Sequence, residues 1–183
     1  MPGRLFTCSD SRGRTRQDGS VMRWFWIDRV THLEKGKRAR AVKNVTLAEE
    51  HLHDHFPGYP VMPQSLMIEG MAQTGGILAG STVDFKENIV LAKVSKATFY
   101  RQVHPGDQMI FEAELVESRS EGHRTETRIT VDGELVAESS MMFVNLPMGG
   151  GRGVFVFTEA LMQLLRECPG FEASAVKAGG RDA

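Results

Sequence analysis

The sequence predicts an α+β domain in which a long antiparallel sheet wraps around one central helix. Three observations lead there. A nearly all-apolar helix pattern runs from Pro63 to about Ala79. Two strand-like runs precede it and four follow it. Turn dipeptides separate the strand-like runs, which is the pattern of a sheet built from hairpins rather than of a parallel α/β fold.

Each element has its own local reason. Trp24 to Glu34 is rich in aromatic and β-branched residues and reads as the first strand. Lys35 and Gly36 make a turn, and Lys37 to Leu47 reads as the second strand. Glu49 to Pro63 carries three histidines and three prolines and reads as an irregular loop. Pro63 opens the helix, since proline is well tolerated in a first turn. Leu66, Met67, Ile68, Met71, Ala72, Ile77 and Leu78 cover most of the helix circumference, which marks a buried helix. Gly70, Gly75, Gly76 and Gly80 lower its intrinsic propensity by about 1 kcal/mol each; they imply another backbone approaching closely. Ile89 to Arg101 is the third strand, and Pro105, Gly106 and Asp107 turn the chain into Gln108 to Arg119. In that strand Met109, Phe111, Ala113 and Leu115 alternate with Ile110, Glu112, Glu114 and Val116. Glu121 and Gly122 turn into His123 to Val131, and Asp132 and Gly133 give a two-residue hairpin signal before Glu134 to Asn145.

The ends read differently. Residues 1–21 are expected to be a disordered leader, with five arginines against two aspartates in the first 23 residues, and Met22 sits just before the first strand-like run. The domain is expected over 22–147, followed over 148–183 by a glycine-rich break, a short amphipathic helix from Glu159 to Glu167 on the outside of the domain, and a disordered tail.

Composition narrows the function classes. The chain has 183 residues, 41% of them hydrophobic, and a formal net charge of -1. A nucleic-acid binder would carry a basic excess, and no apolar run is long enough to cross a membrane as a helix. Cys8 and Cys168 lie near opposite ends, so they form neither a disulfide framework nor a metal cluster, and the reading is a reducing cytoplasm.

The chemistry concentrates in His51 to Pro63 and in the helix behind it. Alternating His51, His53 and His55 with Asp54 suggest a metal loop, but the spacing is one residue short of the zinc loop of metallo-hydrolases and no later His and Asp set completes it. His104 and His123 fall on a turn and a strand edge, where solvent exposure is the ordinary explanation. Acid–base catalysis fits better. A loop histidine near neutral pKa is a natural general base, and a carboxylate on an apolar helix, Glu69, is either a working acid or a group reaching solvent or an arginine. Gln73 stands one turn beyond Glu69 and can share its face.

His55-Phe56-Pro57-Gly58, then Pro60-Val61-Met62-Pro63, then Glu69-Gly70-Met71-Ala72-Gln73 resembles the signature of the FabZ-type 3-hydroxyacyl-(acyl-carrier-protein) dehydratases, a hotdog-fold family. Asp28-Arg29-Val30, Lys43-Asn44-Val45-Thr46, Pro105-Gly106-Asp107 and Val131-Asp132-Gly133 resemble further family landmarks in the family order, so the likeness spans about Trp24 to Leu146. It implies a hotdog fold that dimerises edge to edge, with further assembly into hexamers, and composite sites in which His55 of one subunit faces Glu69 of the other. It implies dehydration of 3-hydroxyacyl thioesters carried on the phosphopantetheine arm of an acyl carrier protein, with no metal or cofactor. Gln64 would supply a backbone N–H to the thioester oxygen, Gln73 and Gly58 would support the site, and Lys93, Lys96 and Arg101 would form a basic rim for an acidic carrier. Asp54 and Gln64 depart from the family pattern, which has glycine at both positions. Two other functions remain in view: a non-catalytic binder of carrier protein or acyl chains, which would need neither His55 nor Glu69, and a thioesterase, which the motif does not resemble.

Overall fold

The computed structural model describes residues 25–146 and 164–169. Eight elements follow in chain order: β1 (Arg29–Glu34), β2 (Arg38–Asn44), α1 (His51–Asp54), α2 (Gln64–Thr82), β3 (Asn88–Phe99), β4 (Gln108–Arg119), β5 (Gly122–Val131) and β6 (Glu134–Leu146). The strands form one six-stranded sheet in the order β1-β2-β4-β5-β6-β3, and every adjacent pair is antiparallel. The sheet curls round α2, which contacts all six strands. This is the α+β arrangement expected from the sequence.

Strand patterning explains which face is inside. In β4, Met109, Phe111 and Ala113 are buried while Glu114 and Val116 are exposed. In β5, His123, Thr125, Thr127, Ile129 and Val131 share the buried face. Asp132 and Gly133 both take positive φ, 52° and 82°, the conformation that a two-residue hairpin between right-twisted strands demands. On the helix, Met67, Met71, Ile77, Leu78 and Ala79 are all nearly inaccessible. With burial on nearly every side, α2 draws its stability from packing, which offsets its glycine content.

Several expectations are corrected. The first strand begins at Arg29, and before it the Trp26 N–H donates to the Gln73 side chain of α2 at 3.0 Å instead of to a neighbouring strand. The second strand ends at Asn44, and Leu47 is exposed. The irregular loop contains the one-turn helix α1, too short to show a helical period. The central helix runs one turn past Ala79, to Thr82, and the hydroxyls of Ser81 and Thr82 bond back to the carbonyls of Leu78 and Ala79. The helix glycines make room chiefly for side chains of the sheet. A Cβ on Gly70 would lie 2.5 Å from the Phe111 ring, and one on Gly75 would lie 2.9 Å from Thr125 Oγ1 and 3.2 Å from the Phe143 ring. Gly122 is needed inside β5 rather than in the turn, since its Cβ would meet the Phe143 carbonyl oxygen at 2.3 Å.

The expected leader and most of the segment after the last strand lie outside the described residues. Of the short helix expected over 159–167, the described turn at 164–166 puts Leu165, fully buried, into the main core cluster together with Cys168. Arg166, Glu167 and Pro169 are exposed, so this part meets the core with one face and turns the other outward.

Candidate active site

His55 follows α1 and is held by a narrow loop. The Val61 N–H donates to the His55 carbonyl at 2.9 Å, while Phe56 and Tyr59 exchange backbone hydrogen bonds of 3.1 and 2.9 Å. Gly58 turns that loop with φ of 77°, and a Cβ there would meet nothing within 4 Å, so backbone conformation and not space requires glycine. The loop returns the Val61 carbonyl to the His55 ring, 3.0 Å from Nδ1. A carbonyl can only accept, so Nδ1 carries a proton, and in the neutral ring Nε2 presents the lone pair. The exposed Phe56 ring stacks on the imidazole at 4.2 Å between centroids.

Glu69 stands on the second turn of α2, partly buried. Its Oε1 accepts a hydrogen bond of 2.9 Å from Gln73 Nε2. The i, i+4 spacing on a helix brings the two together, as the sequence implies. Within one chain, His55 and Glu69 are not joined by any hydrogen bond or ion pair among the described residues.

Gln64 is the first residue of α2, exposed, with Pro63 as the N-cap and no side-chain cap. The N–H groups of Leu66 and Met67 both bond to the Pro63 carbonyl, at 3.0 and 3.1 Å. The N–H groups of Gln64 and Ser65 precede the first intrahelical bonds and face outward at the positive end of the helix dipole. Pro63 supplies no N–H and fixes φ at the helix entrance, which is why the chain can start a helix there without a polar cap.

The other histidines divide among separate tasks. His53 Nε2 donates to the Leu47 carbonyl at 2.9 Å. His51 packs edge-on against Trp26, and burial pushes its pKa down. Among the described residues no group of three His, Cys, Asp or Glu side chains is arranged to hold a metal. Solvent exposure is the ordinary expectation for His104 and His123; His104 is partly exposed and His123 is buried. His104 Nδ1 donates to the Pro60 carbonyl at 3.0 Å, and its own N–H donates to Asp107. His123 is 5% exposed, bonded to Ser118 at 3.0 Å and Thr82 at 3.3 Å. Its polar neighbours on the core face give it a buried place that a period-2 pattern of apolar residues does not announce.

Of the basic residues considered for a docking rim, Lys93 and Lys96 are exposed on β3, with Lys96 3.7 Å from Glu138. Arg101 is instead engaged by Asp107 at 3.5 Å, Glu134 at 3.6 Å and the Gln102 carbonyl at 2.9 Å. Around the buried Lys43 stands a charge cluster that composition alone does not show. Lys43 bonds to Glu49 at 2.9 Å and Asp28 at 3.3 Å. Burial by itself would lower the Lys43 pKa, but the hydrogen bond it donates to Glu49 and the charge of Asp28 overcome it and hold the ammonium above its ordinary value. Asp28 also accepts the Asn44 N–H at 2.7 Å, so the Asp28, Lys43, Asn44 and Glu49 set joins the entry to β1, the end of β2 and the start of α1.

Sequence reasoning missed two contributors to the site: the Val61 carbonyl, which fixes the His55 tautomer, and the Trp26 N–H, which fixes the Gln73 amide. Both act through the backbone, and a backbone acceptor or donor has no residue-type signature.

Comparison with known proteins agrees with this picture. The family model described as the FabA-like domain matches residues 22–140. The chain is 44% identical over 118 residues to the 3-hydroxyacyl-(acyl-carrier-protein) dehydratase FabZ of Listeria welshimeri, covering 64% of this chain and 82% of that protein. It is 46% identical over 119 residues to the protein of the same name from Pectobacterium atrosepticum, covering 63% of this chain and 79% of the relative. Among solved structures, a conserved protein from Pseudomonas aeruginosa superposes with a TM-score of 0.55 at 21% identity, over 64% of this chain and 87% of its own. A Streptococcus mutans protein bound to acetyl CoA superposes with a TM-score of 0.56 at 14% identity, over 72% of this chain and 95% of its own. At those identities the two structures speak for the fold, which is the hotdog fold. With the motif from His55 to Gln73 inside the matched span, the chain belongs to the FabA-like family.

Proposed function

We propose that this protein is a lyase that removes water from 3-hydroxyacyl thioesters held on an acyl carrier protein, giving trans-2-enoyl thioesters in fatty-acid or related acyl synthesis. The observation that carries the reading is the FabA-like match across 22–140, joined to 44–46% identity with named FabZ dehydratases. The side chains support it. His55 Nε2, with its lone pair, takes the proton from the carbon next to the thioester carbonyl. Glu69, protonated, gives its proton to the departing hydroxyl, which leaves as water. Such groups contribute roughly 10²–10⁴ each in rate. With Oε1 engaged by Gln73, the acid proton belongs on Oε2. As the carbon–hydrogen bond breaks, negative charge gathers on the thioester oxygen, and the outward N–H groups of Gln64 and Ser65 at the start of α2 are suited to receive it. Proton exchange with water then restores neutral His55 and protonated Glu69.

The catalytic pair is proposed to be completed by a second copy of the chain. No hydrogen bond or ion pair joins His55 to Glu69 within one subunit among the described residues, and β3, a 12-residue strand, is paired among the described strands with β6 alone. A long unpaired edge is a template for another strand, so two β3 edges joined back to back would give one continuous sheet with two sites, and a trimer of such dimers is compatible with it. Lys93 and Lys96 remain the candidates for docking an acidic carrier protein, while Arg101, paired with Asp107 and Glu134, contributes to the turn at 105–107 instead. No described helix is long and apolar enough to cross a membrane; the location that goes with this reading is the cytoplasm. Nothing observed favours a non-catalytic binder.

The test is incubation of purified protein with 3-hydroxyacyl carrier substrates of several chain lengths. Enoyl product with at least one of them is the expected result. A well-folded protein that binds acyl carrier yet forms no enoyl product at any length would contradict the proposal and favour the binder.

A further inference from the structure

One set of contacts ties the loop that carries His55 to the helix that carries Glu69. His51 opens α1, one helical turn before His55, and its ring meets Trp26 edge-on with centroids 5.2 Å apart. His51 Nε2 is buried without a hydrogen-bond partner, and the nearest carboxylate oxygen, Glu49 Oε2, is 3.6 Å away. On that side the ring is seated by packing, not by a hydrogen bond.

Trp26 in turn reaches α2 through its backbone. Its N–H donates to Gln73 Oε1 at 3.0 Å, and Gln73 Nε2 donates to Glu69 Oε1 at 2.9 Å. The first bond decides the second. An N–H can only meet the amide oxygen, so the amide NH2 is turned toward the carboxyl group. With the amide reversed, Gln73 would offer its oxygen to Glu69 and draw the acid proton to itself, away from a substrate. The approach of Trp26 to α2 depends on Gly70, where a Cβ would stand 3.2 Å from the Trp26 carbonyl oxygen. Asp28, two residues on, is clamped to β2 through the Asn44 N–H and to Lys43, which also holds Glu49 at the start of α1. The segment 26–28 therefore touches both halves of the acid–base machinery.

We propose that His51 and Trp26 are positioning residues for the dehydration. His51 seats the Trp26 ring by packing, and the Trp26 main chain sets the Gln73 amide so that the acid proton of Glu69 faces the substrate. The proposal rests on the reading of Glu69 as the acid.

The test uses the full chain with His51→Ala, His51→Phe and Trp26→Ala, each checked for wild-type circular dichroism and particle size. Two quantities are read: kcat and KM on a 3-hydroxyacyl carrier substrate, and the hydrogen exchange of the Gln73 side-chain NH2 by NMR. Removal of either ring should lower kcat about 10- to 100-fold with KM within about twofold, the scale of a small misplacement of a reacting group. The Gln73 amide protons should exchange faster with water in the same variants. His51→Phe keeps the edge contact without a ring nitrogen and should stay near wild type in both. Wild-type kcat in folded His51→Ala and Trp26→Ala would overturn the proposal, as would a His51→Phe as impaired as His51→Ala. Should Trp26→Ala not fold, Trp26→Leu with His51→Ala decides in the same way. The amide readout is independent of turnover. A wild-type protein inert on every substrate counts against the dehydratase reading, whereas a Gln73 amide unchanged in folded His51→Ala sinks the positioning idea at any level of activity.

Discussion

Two histidines at opposite ends of α2 show how an imidazole with one nitrogen left open differs from one with both nitrogens engaged. His55, beside the helix N-terminus, has one nitrogen fixed by the Val61 carbonyl, and its other nitrogen has no protein hydrogen-bond partner among the described residues. His123, beneath the helix C-terminus, has both nitrogens engaged. Thr82 Oγ1 donates its own proton to the Ala79 carbonyl at 2.7 Å, so it can only accept from His123 Nε2, and the Ser118 hydroxyl then donates to Nδ1. Both histidines are oriented; only His55 is oriented with a lone pair to spare. Imidazole chemistry alone does not separate them. The separation lies in what the backbone at 61 and the hydroxyls at 82 and 118 do with the second nitrogen.

Substitutions break that comparison with graded severity. His55→Ala and Glu69→Gln should each cost roughly 10²–10⁴ in dehydration rate, with the fold intact by circular dichroism. Full activity in either purified variant would remove the assignment. Gln64→Pro deletes a backbone N–H at the start of α2, and losing such a donor costs about 10²–10³ in kcat. Gln64→Gly keeps the donor and should change the rate by less than about tenfold. A folded Gln64→Pro variant with near-normal rate would show that this N–H is not the one that meets the thioester. At the other end of the helix, His123→Ala should leave kcat within about twofold while lowering stability by about 1–3 kcal/mol, because two hydroxyls lose their partner. Denaturant unfolding and turnover on the same preparation separate the two effects.

A smaller effect concerns pH. Burial pushes the pKa of both His51 and His123 below the ordinary histidine value. Below about pH 6.5 the unfolded chain therefore binds protons that the folded chain refuses, and stability falls as pH falls. That contribution is fully present above about 6.5. The melting temperature should drop from pH 7 to pH 5, and His123→Gln should flatten the drop. An unchanged slope would mean that His123 is no source of it.

Much of the fold was legible because its signals are local. Asp132 and Gly133 announce the β5–β6 hairpin through the positive φ that both adopt, and the alternation from Met109 to Val116 announces an amphipathic strand. The pair proposed for catalysis, His55 and Glu69, stands out in the sequence as a motif and as an odd carboxylate on an apolar helix. What stayed hidden depends on tertiary contact. The one-turn α1 is shorter than any period. The burial of His123 goes with hydroxyl partners on two other elements, Thr82 on α2 and Ser118 on β4. The helix glycines face rings from Phe111 and Phe143, far away in the chain. The two backbone groups that orient the site, at Val61 and Trp26, have no side-chain identity to read.

The most direct measurement for a divided acid–base pair is complementation. His55→Ala and Glu69→Gln, each inactive alone, are refolded together, and mixed dimers are isolated by two different affinity tags. If His55 of one subunit works with Glu69 of the other, one of the two sites in a mixed dimer retains both wild-type groups, and about half of the wild-type activity per dimer returns, the rate of one intact site with its full acid–base contribution. Verified mixed dimers that remain as inactive as either parent would contradict the account and place both residues of each site within one subunit.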